Sequence, residues 1–161
     1  MSAIASAFVV SEADLPALSA AAKPVKRLLR KPIDRFPAFL AASARQLPVF
    51  KGSGFLFTTV LVFLQERGIN LLQGPYVARA EELQRSREVL LCVFLSASQR
   101  AEYLPKLQGL SVSPQEMEQY FETFTETQEP GVGQALLLAI EYLRIALAAV
   151  PDAGVVVFSI G

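Results

Sequence analysis

Apolar positions along this chain are densest at residues 55–64, Phe-Leu-Phe-Thr-Thr-Val-Leu-Val-Phe-Leu, a run broken only by Thr58 and Thr59. Its length is about half of the roughly 20 residues a membrane-spanning helix needs. Lys51, Glu66 and Arg67 flank it closely, so it reads as a core element. The aromatic and β-branched content favours a strand, but the ends favour a helix. Ser53 suits an N-cap, Gln65-Glu66-Arg67 is helix-forming, and Gly68 suits the left-handed position just past a C-terminus. A buried central helix is therefore expected within residues 52–68.

Three other apolar runs are short enough for strands: residues 3–10, 88–95 and 155–160. The middle one is apolar almost throughout, which predicts cover on both faces. The first and last are expected to lie in one sheet as neighbours. Helices are predicted between them. One runs from Ser11 or Asp14 to about Ala22, with Pro16 in its first turns. The next starts at Pro32, is kinked or delayed by Pro37, and reaches about Gln46. An extended piece at 69–72 precedes a helix with Pro75 at its first position, ending near Arg87. Ser96 with Gln99 forms a capping box for a helix that ends near Pro105.

The sharpest local signal is Ser113-Pro114-Gln115-Glu116, which combines an N-cap serine, a proline at N1 and a glutamate at N3. The helix it starts places Met117, Tyr120, Phe121 and Phe124 on one face, and Glu129-Pro130-Gly131 breaks it. Residues 134–150 form a second, strongly apolar helix expected to pack on most sides. The predicted fold class is α/β, with α+β as the alternative: a small, mainly apolar sheet of about three strands (N-terminal, central, C-terminal) covered by several helices. The whole chain, residues 1–161, reads as one domain.

Composition narrows the chemistry. There is no histidine and one cysteine, Cys92, set among apolar neighbours. That removes His-dependent nucleophile systems and the commonest zinc ligand, and it leaves Cys92 as a buried, structural thiol. No cofactor and no transition metal are expected. Gly52-Ser53-Gly54 is too short for a phosphate-binding loop and lacks its lysine; tight packing explains its glycines better than anion binding. The N-terminus has no basic region before its apolar run, which makes it a poor signal peptide, and a cytoplasmic protein is expected.

The formal net charge is zero, from 15 basic and 15 acidic residues. This argues against bulk attraction to nucleic acid or an anionic membrane. The neutral total conceals two segments of opposite sign. Lys26, Arg27, Arg30 and Lys31 lie in a basic run with Asp34 as its single acid, whereas residues 107–143 contain six glutamates and no lysine or arginine. Glu118, Glu122, Glu126 and Glu129 are the candidate acidic partner-binding face, and the four basic residues are the candidate basic face. Each also reads as a solvated surface. An acidic stripe on one helix lacks the converging oxygens that a calcium or magnesium site wants.

The short apolar first strand followed by an acidic helix (residues 3–18) and the last strand ending in Gly161 together resemble the YfbM-like bacterial proteins of unknown function. That resemblance implies a fold and no activity. The functional expectation is a non-enzymatic protein-interaction domain, such as an immunity protein or a regulatory adaptor, that binds a protein partner or another copy of itself through a charged helical face. The alternative is a small-molecule-binding domain or a histidine-free enzyme using Glu, Lys, Tyr or Ser groups with a hard divalent cation.

Overall fold

The structure, a computed structural model, describes residues 3–27 and 30–161, with the side chains of residues 26–31 left aside. Strand β1 (Ala5–Ser11) is followed by a 3-10 turn (Glu12–Asp14) and helix α1 (Leu15–Ala22). Strands β2 (Val25–Arg27) and β3 (Arg30–Ile33) form a separate antiparallel pair. Then come α2 (Phe36–Ser43), β4 (Ala44–Gln46), α3 (Leu56–Gln65), α4 (Val77–Arg87), β5 (Leu91–Ser96), α5 (Ala97–Gln108), α6 (Pro114–Thr125), α7 (Val132–Ala148) and β6 (Gly154–Ile160).

The main sheet is antiparallel throughout, in the order β4-β1-β6-β5. The first and last strands are neighbours over their full length, Ala5 opposite Ile160 through Ser11 opposite Gly154. A small apolar sheet covered by helices is thus what the chain forms, with antiparallel pairing. The sheet has four strands, not three. Residues 44–46, expected to be helical, leave α2 as the short edge strand β4, and Pro32 falls inside β3 because Pro37, near the start of α2, is the proline that opens that helix.

Both faces of the sheet are buried, as period-two alternation dictates. Ala5, Ala7, Val93, Leu95, Val156, Phe158 and Ile160 face one layer, built from α3, α5, α6 and α7. Phe8, Val10, Cys92, Phe94, Val155 and Val157 face the other, built from α1 and α4 with α2 packed against it. The central helix α3 carries the first core, with Phe57 and Phe63 fully buried. It ends as its sequence indicates. Gly68 takes φ +76°, its N–H donates to the Gln65 carbonyl and the Ile69 N–H to the Leu64 carbonyl, both at 3.0 Å. The Gly54 amide donates to the Ala3 carbonyl at 2.7 Å, so the glycines before α3 serve packing and that amide is committed.

The differences from expectation have local causes. Residues 69–72 form a turn region whose Ile69 and Leu71 are buried, not a strand. Helix α4 starts at Val77, two residues after Pro75. Helix α5 runs through Pro105 to Gln108 and closes with the Gly109 N–H donating to the Pro105 carbonyl at 3.0 Å. The missing Pro105 N–H costs that helix one bond, and packing retains the last turn: Leu107 is fully buried, and Arg144 Nη2 donates to its carbonyl at 2.8 Å.

Candidate functional site

The acidic residues do not form the outward stripe that a four-residue spacing draws. The capping box at Ser113 and Glu116 is complete, with the Ser113 N–H donating to Glu116 Oε2 at 2.8 Å and the Glu116 N–H to Ser113 Oγ at 3.1 Å. Those backbone and side-chain bonds hold the Glu116 carboxyl below its ordinary range. Glu118 is half-buried and turned back on the chain, where its carboxylate accepts from the Gly131 N–H at 3.1 Å. Glu122 accepts from Gln128 Nε2 at 2.5 Å. Glu126 lies past the helix in the left-handed conformation, φ 56°, and ends α6. Glu129 is exposed in the following loop. On the opposite side of α6, Met117 is fully buried, Tyr120 and Phe121 are half-buried, and Phe124 is 46% exposed, stacked on Tyr120 at 6.1 Å.

Of the basic residues, Lys26 and Arg27 fall in β2, and Arg30 and Lys31 in β3; their side chains lie outside the described part. This strand pair connects α1 and α2, whereas α6 packs on α7 and α3 in the other layer. The backbone of the basic segment is thus joined to the α1 and α2 layer, whereas the acidic helix packs in the layer of α3 and α7. The basic segment finds some of its counterions on α4 and lends α4 one in return: Lys23 pairs with Glu82 at 2.6 Å, and Arg87 pairs with Asp34 at 2.8 Å.

A different surface stands out. Between the loop at residues 49–52 and α7 lies an open, almost wholly apolar groove of about 430 Å³. From α7 it is lined by Ala135, Leu138, Tyr142 and Ile145, whose 3-4-3 spacing is that of a helix–helix seam. Leu138 is 55% exposed, Ile145 47% and, from the loop, Val49 55%. Lys51 and Glu141 line the same groove, and Glu141 accepts a charge-assisted hydrogen bond from Arg144.

The floor of the groove is aromatic. Phe50 meets Phe57 edge-on at 4.9 Å and Tyr142 at 5.6 Å, and Phe57 meets Phe158 at 4.8 Å, so the groove rests on the centre of the core. Tyr142 is only 7% exposed, its hydroxyl has no hydrogen-bond partner among the described residues, and burial pushes its phenol up. The sequence carries the signal for this seam, since Leu138 and Ile145 are seven apart. It is hidden because most other positions of α7, apart from Gln134, Glu141 and Arg144, are apolar as well.

Cys92 is buried between α4 and the sheet, and desolvation raises its thiol to about 12, so its thiolate is not formed near neutrality. Among the described residues no group of three or more His, Cys, Asp or Glu side chains is placed to hold a metal ion, and no helix is long and apolar enough to cross a membrane. No family model, curated protein or solved structure matches this chain.

Proposed function

We propose that this chain is a protein-interaction domain whose docking surface is the α7 seam. The observation that carries the reading is the exposure of Leu138 and Ile145 beside Val49, over a groove set directly on the core. Single exposed apolar side chains are ordinary, but a contiguous apolar strip rimmed by charge marks an interaction site. A partner helix laid along the seam buries it by packing its own apolar face into the groove.

The first occupant to test is α7 of a second copy. In an antiparallel pair around a two-fold axis, Leu138 meets Ile145 of the partner subunit and Lys51 faces Glu141 of the partner subunit. A formal net charge of zero opposes no such association. The acidic residues past α6, Glu126 and Glu129, contribute as a field that steers a basic surface, not as the contact itself.

Sedimentation velocity over a concentration series tests this with the Leu138→Lys/Ile145→Lys variant. The expected result is a dimer for the native chain and a cooperatively folded monomer for the variant. A native chain that stays monomeric at about 100 μM, a concentration at which even a weak micromolar dimer forms, removes the second copy as occupant. Equal self-association of both forms removes the seam.

A second reading rests on Tyr142. A buried, unpaired hydroxyl beside an apolar groove suits a small amphipathic molecule that supplies the missing partner. Native mass spectrometry of the purified protein separates the two: a bound small molecule lost in the Tyr142→Phe variant supports this one.

A further inference from the structure

The two ends of the sheet are guarded unequally. At one edge β4 is three residues long, which offers little backbone to pair with. At the other, β5 is six residues long and bonds to β6 on one side only. In an antiparallel strand alternate residues direct both N–H and C=O away from a given neighbour. Among the described residues, no hydrogen bond joins the backbone of residues 91–95 to anything beyond β6. Gln84 Nε2 reaches only the Leu90 carbonyl, at 3.0 Å.

This edge lies at the bottom of a second groove, of about 240 Å³. Leu71 and Leu72 form one wall, Val77 and Glu81 the other, and residues 91–94 the floor. Strand residues of both parities line it, although Val93 faces one core and Cys92 and Phe94 the other. Only an approach from the strand's edge, between the two helical layers, exposes both parities at once. Leu72 and Val77 are partly exposed at the mouth; of the floor side chains, those of residues 92–94 are almost fully buried and Leu91 is half-buried. What the floor offers is therefore backbone, and what the walls offer is apolar surface.

We infer that the β5 edge binds an extended peptide segment of another protein by strand addition. The segment is about four residues long, alternates apolar with small polar side chains, and carries a lysine or arginine opposite Glu81. The unpaired N–H and C=O row demands an extended backbone and excludes a helix as occupant. Leu72 and Val77 flank the positions where its apolar side chains sit, and the rim carries Glu81 with no cation among the described lining residues. The inference stands apart from the α7 seam, which shares no residue with this groove.

The probe is a fluorescent hexapeptide, Lys-Val-Thr-Val-Thr-Val, with two isomers N-methylated on alternate residues, one set for each edge of the peptide. Strand addition predicts that one isomer binds like the parent while the other loses at least about tenfold, since methylation removes the donors that pair with β5. Leu72→Lys places a cation in the wall and leaves the sheet intact, and it should weaken the parent peptide by about the same factor. Hydrogen exchange should show added protection at alternate β5 amides only. The inference is overturned if no peptide binds, if both isomers bind alike, or if protection appears elsewhere. It is also overturned if these amides become protected with rising protein concentration alone, which assigns the edge to a second copy.

Discussion

Helices α6 and α7 lie side by side and differ in how they meet water. Within α6, residues 114–125, only Met117 is fully buried, whereas α7 buries nine residues along its 17. Their contact is close: a Cβ on Gly133 at the start of α7 would come within 1.9 Å of the Pro114 carbonyl oxygen. The acidic helix is the one a sequence reader selects as a binding face, because its charges are conspicuous. Yet Glu116 and Glu118 are engaged by the chain's own backbone N–H groups and Glu122 by Gln128, and solvent accommodates Glu126 and Glu129 at little cost. The apolar helix looks finished, as if wrapped on every side, but one seam is left in water. Exposed apolar area that another surface can cover is the stronger indication of a partner, because burying it releases free energy while exposed charge pairs contribute little.

Core truncation separates the two helices most strongly. Met117→Ala removes the single full anchor of α6 and should cost about 2–5 kcal/mol in urea unfolding. Leu138→Ala on the exposed seam of α7 should stay within about 0.5 kcal/mol at dilutions where the chain is monomeric. Equal losses would mean that the seam is already part of the core, and the contrast between the helices would fail.

A smaller effect sharpens what holds α6 in place. Ser113→Ala removes one half of the capping box and should cost about 1 kcal/mol. The reciprocal half depends on the Glu116 carboxylate, whose pKa is lowered first by its bond to the Ser113 backbone. A depressed carboxyl stabilises the fold fully above its unfolded value, about 4.3, and that contribution is lost as the pH falls through the folded value. The stability gap between native chain and Glu116→Gln should therefore be complete at neutral pH and close under acid. A gap that has not begun to narrow at pH 3, already below the unfolded value of about 4.3, would place the origin of the effect elsewhere.

The smallest expected change concerns the remaining acids. Replacing Glu122, Glu126 and Glu129 with glutamine should alter stability by no more than about 0.5 kcal/mol. Affinity for an oligolysine peptide should fall at low ionic strength, and the difference should fade above about 0.1 M salt, where the Debye length drops below roughly 10 Å. Unchanged affinity at low salt would reduce this segment to a solvated surface.

By itself the sequence determined the local elements with strong chemical punctuation. Both capping boxes, at Ser96 and Ser113, and the left-handed Gly68 form as read, because their hydrogen bonds join residues within a few positions of one another. The apolar runs placed β1, β5 and β6 to within a few residues and implied that β5 is covered on both faces, since a run with no polar alternation has no face to give to water. Tertiary structure decided the rest. Residues 44–46 became a strand because β1 had a free edge for them, and the last turn of α5 survived Pro105 because Leu107 is fully buried and Arg144 reaches its carbonyl. The acidic stripe was broken by Gly131 and by the left-handed turn at Glu126, contacts that periodicity along one helix does not contain. Both candidate docking grooves belong to this second class. The exposure of Leu138 and Ile145 follows from which faces of α7 the sheet, α3 and α6 happen to cover. The open edge of β5 follows from strand order, which long-range pairing sets.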